Sequence, residues 1–356
     1  MSKNYSSEEV LQIGREYPQP GEEQIAHDIV KLLQDQMVRL YEKGKTKQLR
    51  QIHPKMNGCI KSEFIIKPNL PPELRVGLFK EATSFPAWIR FSNGDTKPLP
   101  DYKKDIRGFA IKIMNVPGEK LDDGGGGAGN HDFILMNTKS FVSSDVKEFA
   151  SILKVVTTPF KWSTLIQKII TVFSSIPLLG RAAKAKIHIK HPAEIPYFST
   201  VPYSFGDETK AVKYAVFPSP SNTLEIEETK SENFLRKNLA ATLLKHEIVY
   251  DFKVQFQTNA AKMPIEDPTV EWTSEFIKVA TIKIPTQVFD TPEQNEFGDN
   301  LSFSSWHCLE EHRPIGNFNR VRKIIYRNMY EFRHQQNNIP LAEPTAGPDF
   351  FTNTNI

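Results

Sequence analysis

The most regular hydrophobic pattern along the chain is a strict alternation. In "EIVYDFKVQFQTN", Ile248, Tyr250, Phe252, Val254 and Phe256 alternate with Val249, Asp251, Lys253, Gln255 and Gln257, which predicts a strand with one apolar face. Shorter stretches read as further strands: "FPAWIRFSNG", "IRGFAIKIMN", "NHDFILMNTK", "AVKYAVFPS" and "SEFIKVATIKIP", each bounded by Gly, Pro or Asn. Several strands without intervening helices favour an antiparallel sheet or barrel over a doubly wound parallel sheet.

A different period governs residues 22–43, "EEQIAHDIVKLLQDQMVRLYEK". Ile25, Ile29, Leu32 and Leu33 fall at helical spacing, with acids early and a Lys late, so an amphipathic helix is expected there. Other helices are expected towards the C-terminal end. In "RKIIYRNMYEFR", offsets of four, four and three place Arg322, Tyr326, Tyr330 and Arg333 on one helical stripe, with Ile324, Ile325 and Met329 directed elsewhere. The expected fold class is therefore α+β, an antiparallel β-barrel with flanking α-helices. Residues 1–45 form an N-terminal helical segment, 46–335 the core and 336–356 a tail.

Two stretches stand apart from this pattern. Residues 122–130, "DDGGGGAGN", form a flexible loop that lacks both the GxGxxG order and the Lys of a phosphate-binding loop. Residues 160–186 are largely apolar with basic flanks, broken by Lys168 and Pro177. They suit a helix packed on the core or on another subunit of a homo-oligomer. The alternative is an interfacial helix that meets a membrane surface or lipid.

Composition narrows the function classes. A net charge of +3 over 356 residues argues against nucleic acid as the main partner, which leaves a concentrated basic footprint. Cys59 and Cys308 are the only cysteines and form no CxxC pair, so neither a disulfide framework nor a thiolate zinc site is expected. The first residues carry no secretory signal pattern, and no later segment reads as a clean membrane span. The expected location is cytoplasmic.

Candidate chemistry begins with histidine. None of the nine makes HExxH or another tight metal-ligand pair, but "LRQIHPKMNG" sets Arg50 three residues before His53. In "AWIRFSNG", Arg90 and Ser92 are two apart and share a strand face. Taken in order, Arg-x-x-His, Arg-Phe-Ser, Arg-Gly-Phe-Ala, Asn-Thr before a Phe and an Asp, and Arg-x-x-x-Tyr together resemble the haem core of catalases, from about Arg50 to Arg333. "FVSSDVKEF" is similar to the family segment in which an Asp, here Asp145, precedes by four residues a Phe that packs on haem, here Phe149. The stretch from Thr291 to Tyr326 looks more like the shorter catalase-related haem peroxidases, without the wrapping and C-terminal domains of full catalases.

The resemblance implies haem b as cofactor and assigns roles by position. Tyr326 would be the proximal iron ligand, with Arg322 one turn earlier favouring its phenolate. His53 would be the distal acid and base, Ser92 its hydrogen-bond partner and Asn137 the amide that orients peroxide. Arg50, Arg90 and Arg333 match arginines that pair with haem propionates, and Phe141 and Phe149 match apolar pocket residues. The implied activity is reduction of hydrogen peroxide or organic hydroperoxides through an oxoferryl intermediate, with a small-molecule reductant as partner.

Two alternatives remain at this level. One is a fatty-acid hydroperoxide isomerase of the allene oxide synthase kind. Coral allene oxide synthases, a related branch, carry a Thr before the distal His that hydrogen-bonds it, where this chain has Ile52. The other is a non-enzymatic haem or lipid carrier.

Overall fold

A computed structural model of the chain describes residues 11–41, 47–122, 129–157 and 165–351. Most of the glycine-rich stretch expected as a loop, and residues 160–164 of the apolar segment, lie outside the described residues.

Nine strands form one antiparallel sheet: β1 (Lys55–Ile66), β2 (Ser84–Asn93), β3 (Arg107–Ile113), β4 (His131–Met136), β5 (Tyr197–Phe198), β6 (Tyr203–Phe205), β7 (Asp207–Pro218), β8 (Ile248–Phe256) and β9 (Phe276–Ile284). Their spatial order is β5-β4-β3-β2-β1-β9-β8-β7-β6, and an additional β5–β7 pairing closes eight of them into a barrel with β6 hanging on β7. Closure removes the exposed edges that would otherwise template aggregation. All six strands expected from alternation are present. Strand β1 escaped notice because a bulge between Met56 and Gly58 interrupts its pairing with β2 and its first half is buried on both faces, which erases the period of two.

The apolar face of each strand fills the barrel. Phe64, Phe109, Phe133, Tyr214, Tyr250 and Phe252 are all at most 1% exposed. Ring centroids lie 5.0 Å apart for Phe64 and Phe252, 5.2 Å for Phe109 and Tyr250, and 4.8 Å for Phe133 and Tyr214. These edge-to-face contacts leave the centre solid, so a ligand has to bind outside the barrel wall.

Helices α1 (Glu22–Leu40), α2 (Val146–Thr157), α3 (Leu165–Ser174), α4 (Ile176–Ala185), α5 (Phe234–Lys245), α6 (Pro292–Asn300) and α7 (Asn317–Asn337) surround the barrel. They are spread between the strands and do not cluster at the C-terminal end. Asp145 caps α2, its Oδ1 accepting the N–H groups of Lys147 and Glu148 at 2.9 Å each, which places Phe149 one turn inside the helix.

Helix α1 is fastened across α7 by an ion cluster. Arg320 of α7 donates to Glu22 of α1 at 2.7 Å, to Glu266 at 2.9 Å, and to Glu16. Removing that guanidinium leaves three carboxylates facing one another in a partly buried site. Arg320→Met is therefore expected to cost about 3 kcal/mol of unfolding free energy. Urea denaturation of variant and parent checks this, and an unchanged midpoint would remove the cluster from any role in holding α1.

Candidate functional site

A cavity of about 460 Å³ lies between the outer wall of the barrel and helices α1, α2 and α7. Cross-strand register builds the barrel side. Ser92 pairs with Gly108 and Gly108 with Met136, while Arg90 pairs with Ala110 and Ala110 with Ile134. A period of two brings both rows to the same outward face, and all six residues line the cavity. The helices supply Ile29, Leu33 and Met37 from α1 and Phe149, Ile152 and Leu153 from α2.

His53 precedes β1 in a left-handed backbone conformation, φ 61°. Its Nδ1 lies 3.0 Å from Ser92 Oγ, and its carbonyl accepts a hydrogen bond from Arg90 Nη2 at 3.0 Å. The imidazole packs against Gly108, where a Cβ would come within 2.5 Å of Nδ1 and 2.7 Å of Ser92 Oγ. This explains the glycine of "RGFA" directly: the ring occupies the space a side chain would need. With Nδ1 engaged, Nε2 is the nitrogen left for the cavity. Burial, together with the charges of Arg90, Arg50 and Arg322, pushes the His53 pKa down to about 3.

At one end of the cavity three guanidiniums converge. Arg50 donates to the carbonyls of Gly298 at 3.2 Å, Asp299 at 3.1 Å and Leu301. Arg333 donates to the carbonyls of Asp299 at 2.6 Å and Asn300 at 3.2 Å. These carbonyls belong to the C-terminal end of α6, whose last turn has no intrahelical donors for them. Arg90 is 3% and Arg333 4% exposed, and Arg90 Nε is buried without a hydrogen-bond partner. Among the described residues none of the three forms an ion pair with a carboxylate. Burial and the charge of Arg333 lower the Arg50 pKa to about 9, burial and Arg90 lower Arg333 to about 10, and burial and Arg50 hold Arg90 well below its ordinary value.

Helix α7 forms another wall, presenting Arg322, Tyr326, Tyr330 and Arg333 to the cavity as the stripe predicts. Ile325 and Met329 also line it, contrary to their expected direction, because the wall is wider than a single row of side chains. The Arg322 guanidinium lies 5.5 Å from the Phe141 ring centroid and 6.0 Å from that of Tyr326. Phe141 packs on Phe318 at 4.5 Å between ring centroids, and Phe149 lies 6.1 Å from Phe141.

The structure thus gathers Arg50, His53, Arg90, Ser92, Phe141, Phe149, Arg322, Tyr326 and Arg333 around one cavity. Asn137 is elsewhere. Its Oδ1 accepts the Arg107 N–H at 2.7 Å, its Nδ2 donates to the Ala185 carbonyl at 2.8 Å, and it is absent from the lining, where its neighbour Met136 stands instead. Strand alternation could have found Met136, which sits two residues beyond Ile134 on the same face. Sequence reasoning also missed Gly108, the α1 side chains and Ser302. Ser302 lines the cavity and donates to Glu343 Oε1 at 2.6 Å. Glu343 in turn receives Lys112 at 2.6 Å, and Lys112 is also paired with Asp132 at 2.9 Å. No group of three His, Cys, Asp or Glu side chains among the described residues could hold a metal ion.

No protein-family model matches the chain, and no curated protein matches it in sequence. Solved structures do. A fungal catalase superposes with a TM-score of 0.60 at 17% identity, over 83% of this chain and 62% of that one. Catalase A from Saccharomyces cerevisiae gives 0.60 at 16% over 83% and 64%, and a bacterial catalase 0.60 at 15% over 86% and 62%. The fold is catalase-like. The chain spans somewhat less than two thirds of the length of these catalases, and at such identities the likeness is one of fold.

The pKa of His53 carries a consequence for folding. The unfolded chain protonates this imidazole near its ordinary value of about 6.5, whereas the folded protein resists until about 3. Between these values the unfolded state binds more protons. The contribution is neutral above about pH 6.5 and grows destabilising as pH falls, by about 1.4 kcal/mol per unit, levelling off below the folded value. Chemical denaturation at pH 7 and pH 5 is expected to show a shallower pH dependence for His53→Gln than for the parent; equal slopes would contradict the depressed pKa.

Proposed function

We propose that the cavity holds haem b and that the protein reduces hydrogen peroxide or organic hydroperoxides. The observation that carries this reading is the guanidinium cluster. Three buried cations without a carboxylate partner are costly unless an anionic ligand completes them. Arg50, Arg90 and Arg333, gathered on one part of a mainly apolar cavity wall, suit a large flat apolar body that ends in two carboxylates, and haem has that form. Tyr326, on the helical wall with Arg322 beside it, supplies an oxygen donor of the kind that holds haem iron. The catalase-like fold supports the same cofactor.

Bound there, ferric haem would supply the redox chemistry that cleaves a peroxide O–O bond. The reaction takes ROOH, two protons and two electrons to ROH and water, the electrons coming from a small-molecule reductant. His53 manages the protons. With Nδ1–H donating to Ser92 Oγ, its neutral Nε2 accepts a proton from one peroxide oxygen and returns it to the other. Met136 contributes no amide hydrogen bond to this wall, and Asn137 is engaged with backbone groups. Ligand orientation therefore falls to His53 and to the shape of the cavity.

Titration with haemin and with its dimethyl ester, followed by visible absorption, tests the anchoring. The ester lacks free carboxylates and is expected to bind about a hundredfold more weakly to the parent, a difference that shrinks in Arg90→Leu and Arg333→Leu. Tyr326→Phe is expected to lose haem retention, while His53→Ala retains haem and loses peroxide turnover. No binding of haemin by the parent would end the haem reading, and normal turnover in His53→Ala would end the role of the imidazole.

A further inference from the structure

The α3–α4 run, in which helical bonds continue through Ser175, is unlike the rest of the surface. Five of the sixteen exposed large apolar side chains among the described residues fall within 170–179: Ile170, Val172, Phe173, Ile176 and Leu179. Phe173 is 67% and Ile170 62% exposed. The charge of the surrounding chain is equally one-sided. From residue 149 to 193 there are seven Lys and Arg and no Asp or Glu, although the whole chain carries only +3. Arg181 is paired with Glu148 and Lys186 with Asp95, while Lys154, Lys184 and Lys190 are exposed and make no ion pair among the described residues.

The α3–α4 run also borders the cavity. Arg181 Nε donates to the carbonyl of Val142, a lining residue, at 2.6 Å. The Ala185 carbonyl at the end of α4 holds Asn137, next to the lining residue Met136. Lys186 reaches Asp95, between the lining residues Gly94 and Thr96. Ile52 lines the cavity and is 40% exposed.

We propose that the α3–α4 run seats the protein on anionic lipid bilayers and thereby presents the cavity to acyl hydroperoxides held in the membrane. The substrate class rests on the haem peroxidase reading above; the docking does not. Exposed apolar side chains beside the unpaired Lys184 and Lys190 match the boundary between acyl chains and acidic headgroups, where burial and Coulomb attraction act together. A crossing segment is excluded for the described helices, none of which is long and apolar enough to span a membrane. At 1.5 Å per residue, the ten residues of α3 extend about 15 Å, half of a hydrocarbon core.

Co-sedimentation with vesicles of phosphatidylcholine, with and without an equal part of phosphatidylglycerol, tests the docking without haem. About tenfold more protein is expected on the anionic vesicles, and both I170D/F173D and K184E/K190E are expected to lose that excess. No preference in the parent, or unchanged sedimentation of both variants, would overturn the proposal. A dimer in sedimentation equilibrium that Phe173→Asp dissociates would give the face to a second copy of the chain and overturn it equally. With haemin-loaded protein, I170D/F173D is expected to lose about tenfold in turnover of a vesicle-borne linoleoyl phospholipid hydroperoxide while hydrogen peroxide turnover stays unchanged. Vesicle binding without turnover of either peroxide would leave the docking standing and overturn the substrate class together with the haem reading.

Discussion

The site is organised around the problem of keeping three guanidiniums in a poorly solvated place. Arg50 and Arg333 are tolerated because they cap α6, taking the carbonyls of residues 298–301 that the helix end leaves open. A helix C-terminus offers only about half a negative charge, which does not neutralise three cations. The remaining positive charge requires either depressed pKa values or an anion, and the lowered values of Arg50, Arg90 and Arg333 record that demand. Much of the surrounding architecture serves the same end. Register between β2 and β3 fixes Arg90, α6 fixes Arg50 and Arg333, and α7 carries Arg333 and Tyr326 on one face.

Parts of the candidate site were legible as local periods, while what joins them was not. Arg90 and Ser92 were legible as partners because a strand repeats every two residues, and Arg322, Tyr326 and Arg333 because a helix repeats near four and three. What joins these local stripes is the pairing of distant segments, which no local period encodes. His53 illustrates the limit. Its neighbours Arg50 and Ile52 are visible in sequence, but the space that it occupies depends on Gly108, 55 positions later, lacking a side chain. Asn137 shows the other limit: a one-residue difference at the end of β4 exchanges the cavity for the backbone of β3, and the resemblance points to the amide while Met136 stands in the lining.

The barrel and the cavity divide the work between them. Because aromatic rings fill the barrel, its wall is rigid and its outer face can hold Ser92, Arg90 and Gly108 in a fixed relation. Close packing also explains how the residues at 339–351 join in. Glu343 is held by Lys112 of β3 and Ser302, and Phe350 packs on Trp88 of β2 with ring centroids 5.4 Å apart. Ser302 thus connects the cavity lining to a buried ion cluster, so the wall near Tyr330 is set by charges further along the same outward face of the sheet. Burial pushes the Tyr330 phenol up and Glu343 adds to the effect, which keeps it protonated beside the stripe.

Charge also links the two halves of the proposed chemistry. Two of the guanidiniums that would bind carboxylates, Arg90 and Arg50, also add their repulsion to the burial that lowers the His53 pKa. A dianion bound there would cancel part of the repulsion from Arg50 and Arg90 and so raise the basicity of the imidazole, while the burial that is the larger cause of its low pKa would remain. Anchoring such a ligand and tuning the base would therefore be electrostatically linked. The arginines would need no contact with a bound peroxide to affect it, because the charges of Arg90, Arg50 and Arg322 each act directly on the imidazole.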